Sequence, residues 1–587
     1  MTTGAHATTQ RRHWGRWVAV SAAAVVLMGL AAFAWDAYQL RSAAAQIKSE
    51  ASAAKSAVSA RDADALQTQV AALQESAATF ASATTGVHWW VANHLPWVGS
   101  QTRPLTEAGQ AVLAVSEDAL APLASTGDLS ALQAPSIVDG RIDPYVLEDY
   151  RPVLADAAAV FAQQQGRLAE VDVVGTVSAV REPFLELRTE LASLGGLIQG
   201  AHVAAEVLPH MLGADAPRTY VVMIQNNAEP RTTGGIPGAV IEVTVDDGHI
   251  AMGRYATANQ MIATDKINAP LTDDERRIFT DRMLMYPQDV NFTPEFPRSA
   301  ELMRQFWFET FGDMPDAVVS VDPVALGYML QGMAPVEIGG VTVTADNLAR
   351  VMLNESYLTF PDPEASDAFF ALASQQLFGV LVGGGTSSVA GVERAIEEGR
   401  FLVWSGDEQE QSLLQTTPIA GAFLERTDTL GLFINDGSGS KIGYYIDADA
   451  HVANHMCPDG SLHGQTVTLT LTHTFSGDVA DLPWYVSGGG VYVPDGEFHA
   501  NLLLYPPAGE GVTKYSVDGA PGQLAPKTHD GRAMSTARIT LVPGQTLVVS
   551  YELTATEHGQ LAPGFAFTPG PRPQAGDVSV DISGKDC

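Results

Sequence analysis

The chain reads as a multidomain protein: one N-terminal transmembrane helix, an α-helical bundle region, an α/β layered central domain and a C-terminal antiparallel β-sandwich. Three changes of pattern predict this. A 19-residue uncharged apolar run opens the chain, and helical periodicity follows it. Near Pro217 that periodicity gives way to short β-rich runs alternating with capped helices, and beyond Lys441 two-residue alternation takes over. The expected parts are a cytoplasmic tail (1–16), an anchor (17–35), an extracytoplasmic helical region (36–215), the α/β domain (216–436) and the sandwich (437–587).

Residues 17–35 read WVAVSAAAVVLMGLAAFAW. At 1.5 Å per residue they span about 28 Å, close to the hydrocarbon thickness of a bilayer. Trp17 and Trp35 stand at the ends, where amphipathic rings settle among headgroups. Arg11, Arg12 and Arg16 precede the run and Asp36 follows it. Positive charge on the inner flank predicts a single pass in the cell membrane, with a cytoplasmic N-terminus and the bulk of the chain extracytoplasmic. The alternative is a cleaved signal peptide, with Ala31-Ala32-Phe33-Ala34 as a cleavage-like site. The apolar core of such a peptide is shorter, about 7–15 residues.

Acids outnumber bases by 67 to 33, giving a net charge of −34. No Lys/Arg-rich stripe is present, which argues against nucleic acid as a partner. An acidic ectodomain is also repelled by anionic lipids and wall polymers unless a basic pocket or a divalent ion intervenes. The two cysteines, Cys457 and Cys587, permit one disulfide on the oxidising side of a membrane, tying the last residue to the start of the sandwich. Two free thiols are the alternative.

In the helical region Leu66, Val70, Leu73, Ala77 and Phe80 draw one apolar stripe, too short for a long coiled coil. The pattern breaks at 88–100, HWWVANHLPWVGS. Trp89, Trp90 and Trp97 there suit either a clamp between helices or the outer headgroup layer, and His88 and His94 are too isolated to act as ligands. In the central region a buried strand is expected over 219–224, and a hairpin over 239–255 turning at Asp247-Gly248. A further strand over 317–321 leads into a helix opened by Asp322-Pro323. Helices are expected over 368–382, with Ser366-Asp367 as cap, and 407–415, and a strand over 400–404. In the sandwich, 466–474, 537–542, 546–553 and 578–582 read as strands.

The densest polar cluster is Gln225-Asn226-Asn227-Ala228-Glu229-Pro230-Arg231-Thr232-Thr233-Gly234-Gly235, directly after a predicted buried strand. Loops at the C-terminal ends of strands are where α/β sheets bind ligands. Gly234 and Gly235 allow close backbone approach, and Asn226, Asn227 and Thr233 offer hydrogen bonds. The Arg231 fork suits a phosphate. Glu229 suits a divalent cation such as Mg or the orientation of that arginine. The plainer reading is a structural loop with Glu229 and Arg231 paired to each other. A second cluster, Asp289 to Arg298, suits a substrate lip or a turn capping the next helix. No nucleophile elbow, zincin motif, Walker loop or dinucleotide fingerprint is present.

QNNAEPRTTGGIPGA, DVNFTPEFPRSAELMRQFW, AVVSVDPVALGYMLQGMAPVEI and SKIGYYID together resemble the bacterial membrane-anchored domain-of-unknown-function 4012 family. The resemblance implies an N-terminal span and a helical stretch before the motif region, and no established activity. More distantly, the central domain is similar in order to the LytR-CpsA-Psr phosphotransferases. These move glycopolymers from polyprenyl pyrophosphate to peptidoglycan with arginines, carboxylates and a divalent metal. By that resemblance Glu229-Pro230-Arg231 stands for their Asp-x-Arg element, with Arg231 and Glu229 as catalytic residues. Ser320-Val321-Asp322-Pro323 stands for a later strand–helix step. Their Pro-Arg-Asp element has no match, and Arg254 stands nearest to it.

Two functions follow as expectations. The first is cell-envelope glycopolymer assembly or attachment, phosphotransferase-like if enzymatic, on a polyprenyl-linked glycan or cell-wall polymer. Its ligand would be held by Asn226, Asn227, Thr233, Gly234, Gly235, Arg254, Asp289 and Arg298. The second is a non-enzymatic surface scaffold or adhesin. A deep apolar tunnel beside Glu229 and Arg231 favours the first, and a filled core there favours the second.

Overall fold

The computed structural model describes residues 11–60, 62–126, 137, 140–263, 265–383, 388–555, 564–573 and 576–582. Helices and several sheets make up a multidomain chain. It divides into two compact units, the first holding residues up to 130 and 150–198, the second 131–149 and 199–587.

The first unit is helical. The expected anchor lies inside one 50-residue helix, Arg11–Ala60. Asp62 caps the next, Ala63–Ala83, by accepting from the Ala65 amide. The short helix Val87–His94 and the helices Val98–Ala114 and Arg151–Ala169 follow. The expected stripe is the buried face: Leu66, Val70, Leu73, Ala77 and Phe80 are all in the core. Two further helices, Ser178–Met211 and Pro363–Val382, are long and apolar enough to cross a membrane by length and composition. The first of them has residues in both units. The second packs Phe369, Ala373 and Leu377 into a core cluster of the second unit. Its cap is Asp362, four residues before the sequence expectation.

The second unit begins with a five-stranded mixed sheet. Its strands are β1 (Arg218–Arg231), β2 (Gly234–Asp246), β3 (His249–Thr257), β4 (Ala317–Val321) and, after the small hairpin β5 (Val336–Ile338) and β6 (Val341–Val343), β7 (Phe401–Ser405). The order is β3-β2-β1-β4-β7, and β1 and β4 are the parallel pair. Asp247 and Gly248 make the β2–β3 turn with φ of 45° and 75°, which this hairpin needs at both central residues. Asp322 caps the helix Pro323–Met329.

The sandwich pairs two sheets. One holds β12 (Glu510–Val517), β13 (Ala520–Pro521), β16 (Thr546–Ala555), β10 (Leu462–His473), β9 (Ile446–Met456) and β18 (Gly576–Ile582). The other holds β14 (Ala525–His529), β15 (Arg532–Leu541), β11 (Phe498–Tyr505), β8 (Thr429–Asp436) and β17 (Gly564–Phe567). β8 falls within the expected α/β range, yet it is hydrogen-bonded into the sandwich between β11 and β17. Every residue of β8 is buried. Leu430, Leu432 and Ile434 face the sandwich core, while Phe433 joins a cluster with Val221, Met223, Val240, Trp307, Leu503 and Tyr505. Such a strand alternates between two apolar environments, so both of its faces are covered. The α/β sheet and the sandwich therefore share a core, which is why they form one unit.

Candidate functional site

The polar cluster is not a loop. β1 continues through Asn226, Asn227, Glu229 and Pro230 to Arg231, and Thr232-Thr233 turn the chain into β2. Register shifts at Ile224/Gln225 and Asn226/Pro230 absorb the residues that make the sequence look like a loop. Gly235 is required here: a Cβ on it would sit 2.1 Å from the Asn226 carbonyl carbon. Gly234 has a φ of 137°. The Gln225 side chain closes the hairpin by accepting from the Gly235 amide and donating to Ser320 Oγ.

Glu229 and Arg231 are both buried, and they are not paired to each other. Lys441 Nζ donates to Glu229 Oε1 at 2.5 Å. Burial disfavours the charged ammonium, but the Glu229 carboxylate outweighs it and holds the Lys441 pKa above its usual value. The Lys441 ammonium also lies 5.1 Å from the centre of the Tyr357 ring. Tyr357 follows a π-helical turn at Val351–Glu355 and accepts from Asn226 Nδ2 at 2.5 Å. Burial pushes its phenol up to about 12. Arg231 Nη2 meets Asp289 Oδ1 at 3.5 Å, and the guanidinium lies 5.0 Å from the Phe292 ring centre. Arg282 takes the other Asp289 oxygen at 2.8 Å. Beside Arg231 and Glu229 lies Asp436, fully buried, whose carboxyl is pushed up to about 6 by desolvation against the pull of Arg231. Ser438 Oγ and the Gly439 amide donate to it.

Around this core run the bonds that join the α/β sheet to the sandwich. Asn227 Nδ2 donates to Asp322 Oδ2 at 3.0 Å and to the Pro569 carbonyl at 3.1 Å. The fully buried Arg400 guanidinium reaches Asp322 at 2.7 Å, Glu398 at 2.6 Å and the carbonyls of Gly570 and Arg572 at 2.9 and 2.7 Å. The Thr232 amide donates to Asn435 Oδ1, Asn435 Nδ2 donates to the Phe292 carbonyl, and Thr568 Oγ1 donates to the Thr232 carbonyl. Glu295 accepts from the Phe423 and Leu424 amides.

Of the residues expected at one ligand site, the structure brings together Asn226, Asn227, Glu229, Arg231 and Asp289, with Thr233, Gly234 and Gly235 forming the adjoining turn. It does not bring in Arg254 or Arg298. Arg254 is bound by Glu242 and Asp313 and stacks over Trp307 and Phe311. Arg298 is held by Glu275 and Glu301, and by the Pro270 carbonyl. Lys441, Tyr357, Asp436 and Arg400 were not singled out from sequence. Lys441 is 212 positions from Glu229, and Tyr357 is 131 from Asn226, so no local motif joins them.

A divalent cation at Glu229 would have to displace the Lys441 ammonium. Among the described residues no three His, Cys, Asp or Glu side chains are grouped as a metal site. Cys457 is disulfide-bonded, while Cys587 lies outside the described residues. β18 runs parallel to β9 with Ile582 opposite Met456, so the chain is beside Cys457 five residues before its end.

No curated protein and no solved structure matches the chain. Residues 215–357, which run from just before β1 to Tyr357, match the model of the family described as "Protein of unknown function (DUF4012)".

Proposed function

We propose that this protein is a membrane-anchored surface scaffold in which the segment around Glu229 and Arg231 joins two halves of an extracytoplasmic body, rather than a phosphotransferase. The observation that carries this reading is the filling of the site. Glu229, Arg231, Asn227, Asp289 and Asp436 are buried and bonded within the chain, Glu229 to Lys441, Asn227 to Asp322 and the Pro569 carbonyl, Arg231 to Asp289, and Asp436 to Ser438 and Gly439. A transferase needs those groups to face a substrate, with donors preorganised toward a pyrophosphate. Here the carboxylate faces an ammonium and the guanidinium faces a carboxylate and a ring.

One observation favours the glycopolymer reading. Arg231 Nε, Asn227 Oδ1 and Asn291 Oδ1 are buried with no hydrogen-bond partner, and such atoms imply an ordered water or a small polar ligand. A polyprenyl-linked glycan with Mg as its counter-ion is the corresponding alternative. Binding of a polyprenyl pyrophosphate to the full chain in nanodiscs, with and without Mg, separates the two. The scaffold reading expects no binding and a large loss of stability in Arg231→Ala. Saturable binding by the unaltered protein that Arg231→Ala abolishes would replace it with the glycopolymer reading.

A further inference from the structure

The helical unit leaves an aromatic edge uncovered at one level. Helix Arg11–Ala60 continues 25 residues past Trp35, about 37 Å at 1.5 Å per residue. Helix Ala63–Ala83 then runs back along it for 21 residues, about 31 Å, bringing Phe80 and Ala83 beside Leu40 and Ala43. The chain is thus returned to the exit of the expected anchor. There Asp36 Oδ2 holds the short helix Val87–His94 through His88 Nε2 at 2.6 Å and Trp89 Nε1 at 2.9 Å. Phe33 lies with its ring centre 5.0 Å from that of His88 and 5.3 Å from that of Trp89.

Trp89 is buried in this clamp, but its neighbours are bare. Trp90 is 64% exposed, Trp97 71%, Val87 79% and Leu95 49%, and on the anchor helix Trp35 and Tyr38 are 63% and 71% exposed. Trp97 holds a φ of 62°, a region that costs a bulky side chain energy, as the cap of helix Val98–Ala114. Six large apolar or aromatic side chains exposed around one level are unusual for a surface in water. Trp and Tyr are the residues that settle at a membrane–water boundary. Beside them opens a cleft of about 660 Å³ lined by Trp97 and by both signs of charge, including Arg103 and Arg167 against Glu107 and Asp172.

We propose that the segment from Val87 to Trp97 lies in the outer headgroup layer of the membrane, with Trp90 and Trp97 inserted beside the anchor. The occupant of this surface is a phospholipid bilayer. The mixed charges of the cleft and the chain's net charge of −34 favour zwitterionic over anionic headgroups. The proposal rests on reading residues 17–35 as an anchor, and the position of Asp36 and Phe33 against this helix is what sets its depth.

The test uses the full chain in phosphatidylcholine vesicles carrying a nitroxide on the lipid headgroup. The Trp fluorescence quenched by the headgroup label is compared between the unaltered protein and the double variant Trp90→Phe/Trp97→Phe. The expected result is a clear loss of quenched signal, since two exposed tryptophans placed at the outer boundary are removed. A quenched signal that does not change, from protein that still floats with the vesicles, overturns the proposal and leaves the anchor intact. Unaltered protein that fails to float with the vesicles overturns the anchor and the proposal together. Both rings are exposed, so the double variant keeps the melting temperature of the parent.

Discussion

The seam around Glu229 and the aromatic edge around Trp90 are opposite uses of conspicuous residues. At the seam, charged and amide side chains that look like a ligand site from sequence are buried and bonded to one another. At the edge, apolar rings that look like core from sequence are exposed. A dense polar motif can serve the inside of a protein, and an aromatic run can serve its outside. Burial decides which, because an ion taken out of water must find a partner in the chain, whereas an exposed ring must find one elsewhere.

The comparison breaks most readily at Arg400. Its loss strands Asp322 and Glu398 and removes the bonds to Gly570 and Arg572. Arg400→Ala is expected to cost about 3–5 kcal/mol, the cost of an uncompensated buried charge. Denaturant unfolding should then separate the sandwich from the α/β sheet as two transitions; a single unshifted transition would remove Arg400 from the seam.

A slightly smaller effect is expected from Lys441→Met, about 3 kcal/mol, because Glu229 is left unpaired. The double variant Lys441→Met/Glu229→Gln should recover most of it, since replacing both charges is far milder than removing one. A double variant no more stable than the single one would mean that Glu229 has another role.

Asp436 gives a smaller, pH-dependent signal. Its folded pKa of about 6 lies above the ordinary carboxylate value, so between roughly pH 4 and 6 the folded protein holds more protons than the unfolded chain. Stability contributed by this group is therefore present below pH 4 and lost as pH rises through 6. Asp436→Asn should flatten that part of the curve of melting temperature against pH. An unchanged slope in the variant would assign the dependence to another group.

The smallest effect belongs to the edge. Trp90→Ala should change the stability of the protein in detergent by less than about 0.5 kcal/mol, as exposed substitutions do. A larger loss in the melting temperature would make Trp90 part of the core.

Local signals carried much of this fold. The Asp247-Gly248 hairpin, the Asp322 cap and the alternation in 466–474 each lie within a few residues, and each is found in place. The stripe from Leu66 to Phe80 likewise forms the buried face of its helix. What escaped was set by distant chain. Asn-Asn, Pro and Gly-Gly after Ile224 have turn chemistry, and only a partner strand with shifted register lets them stay extended. Trp89 and Trp90 are adjacent and identical in type, yet one is buried and one bare, which depends on where Asp36 stands. The sharing of a core by β8 is similarly a property of two sheets and not of TLGLFIND alone.

The bond from Asn227 to the Pro569 carbonyl joins positions 342 residues apart. For a chain synthesised N-terminus first, that distance is also an interval of time. The β1–β2 hairpin emerges with Glu229 lacking Lys441 and Asn227 lacking the Pro569 carbonyl, and the second of these waits for nearly all of the remaining chain. Until β8 and Lys441 arrive, Glu229 stands open to solvent and the apolar face that β8 will cover is bare, and Asn227 waits longer still, for the Pro569 carbonyl. The interval between the emergence of residue 231 and that of residue 572 is therefore when this protein is most exposed to proteases and to aggregation.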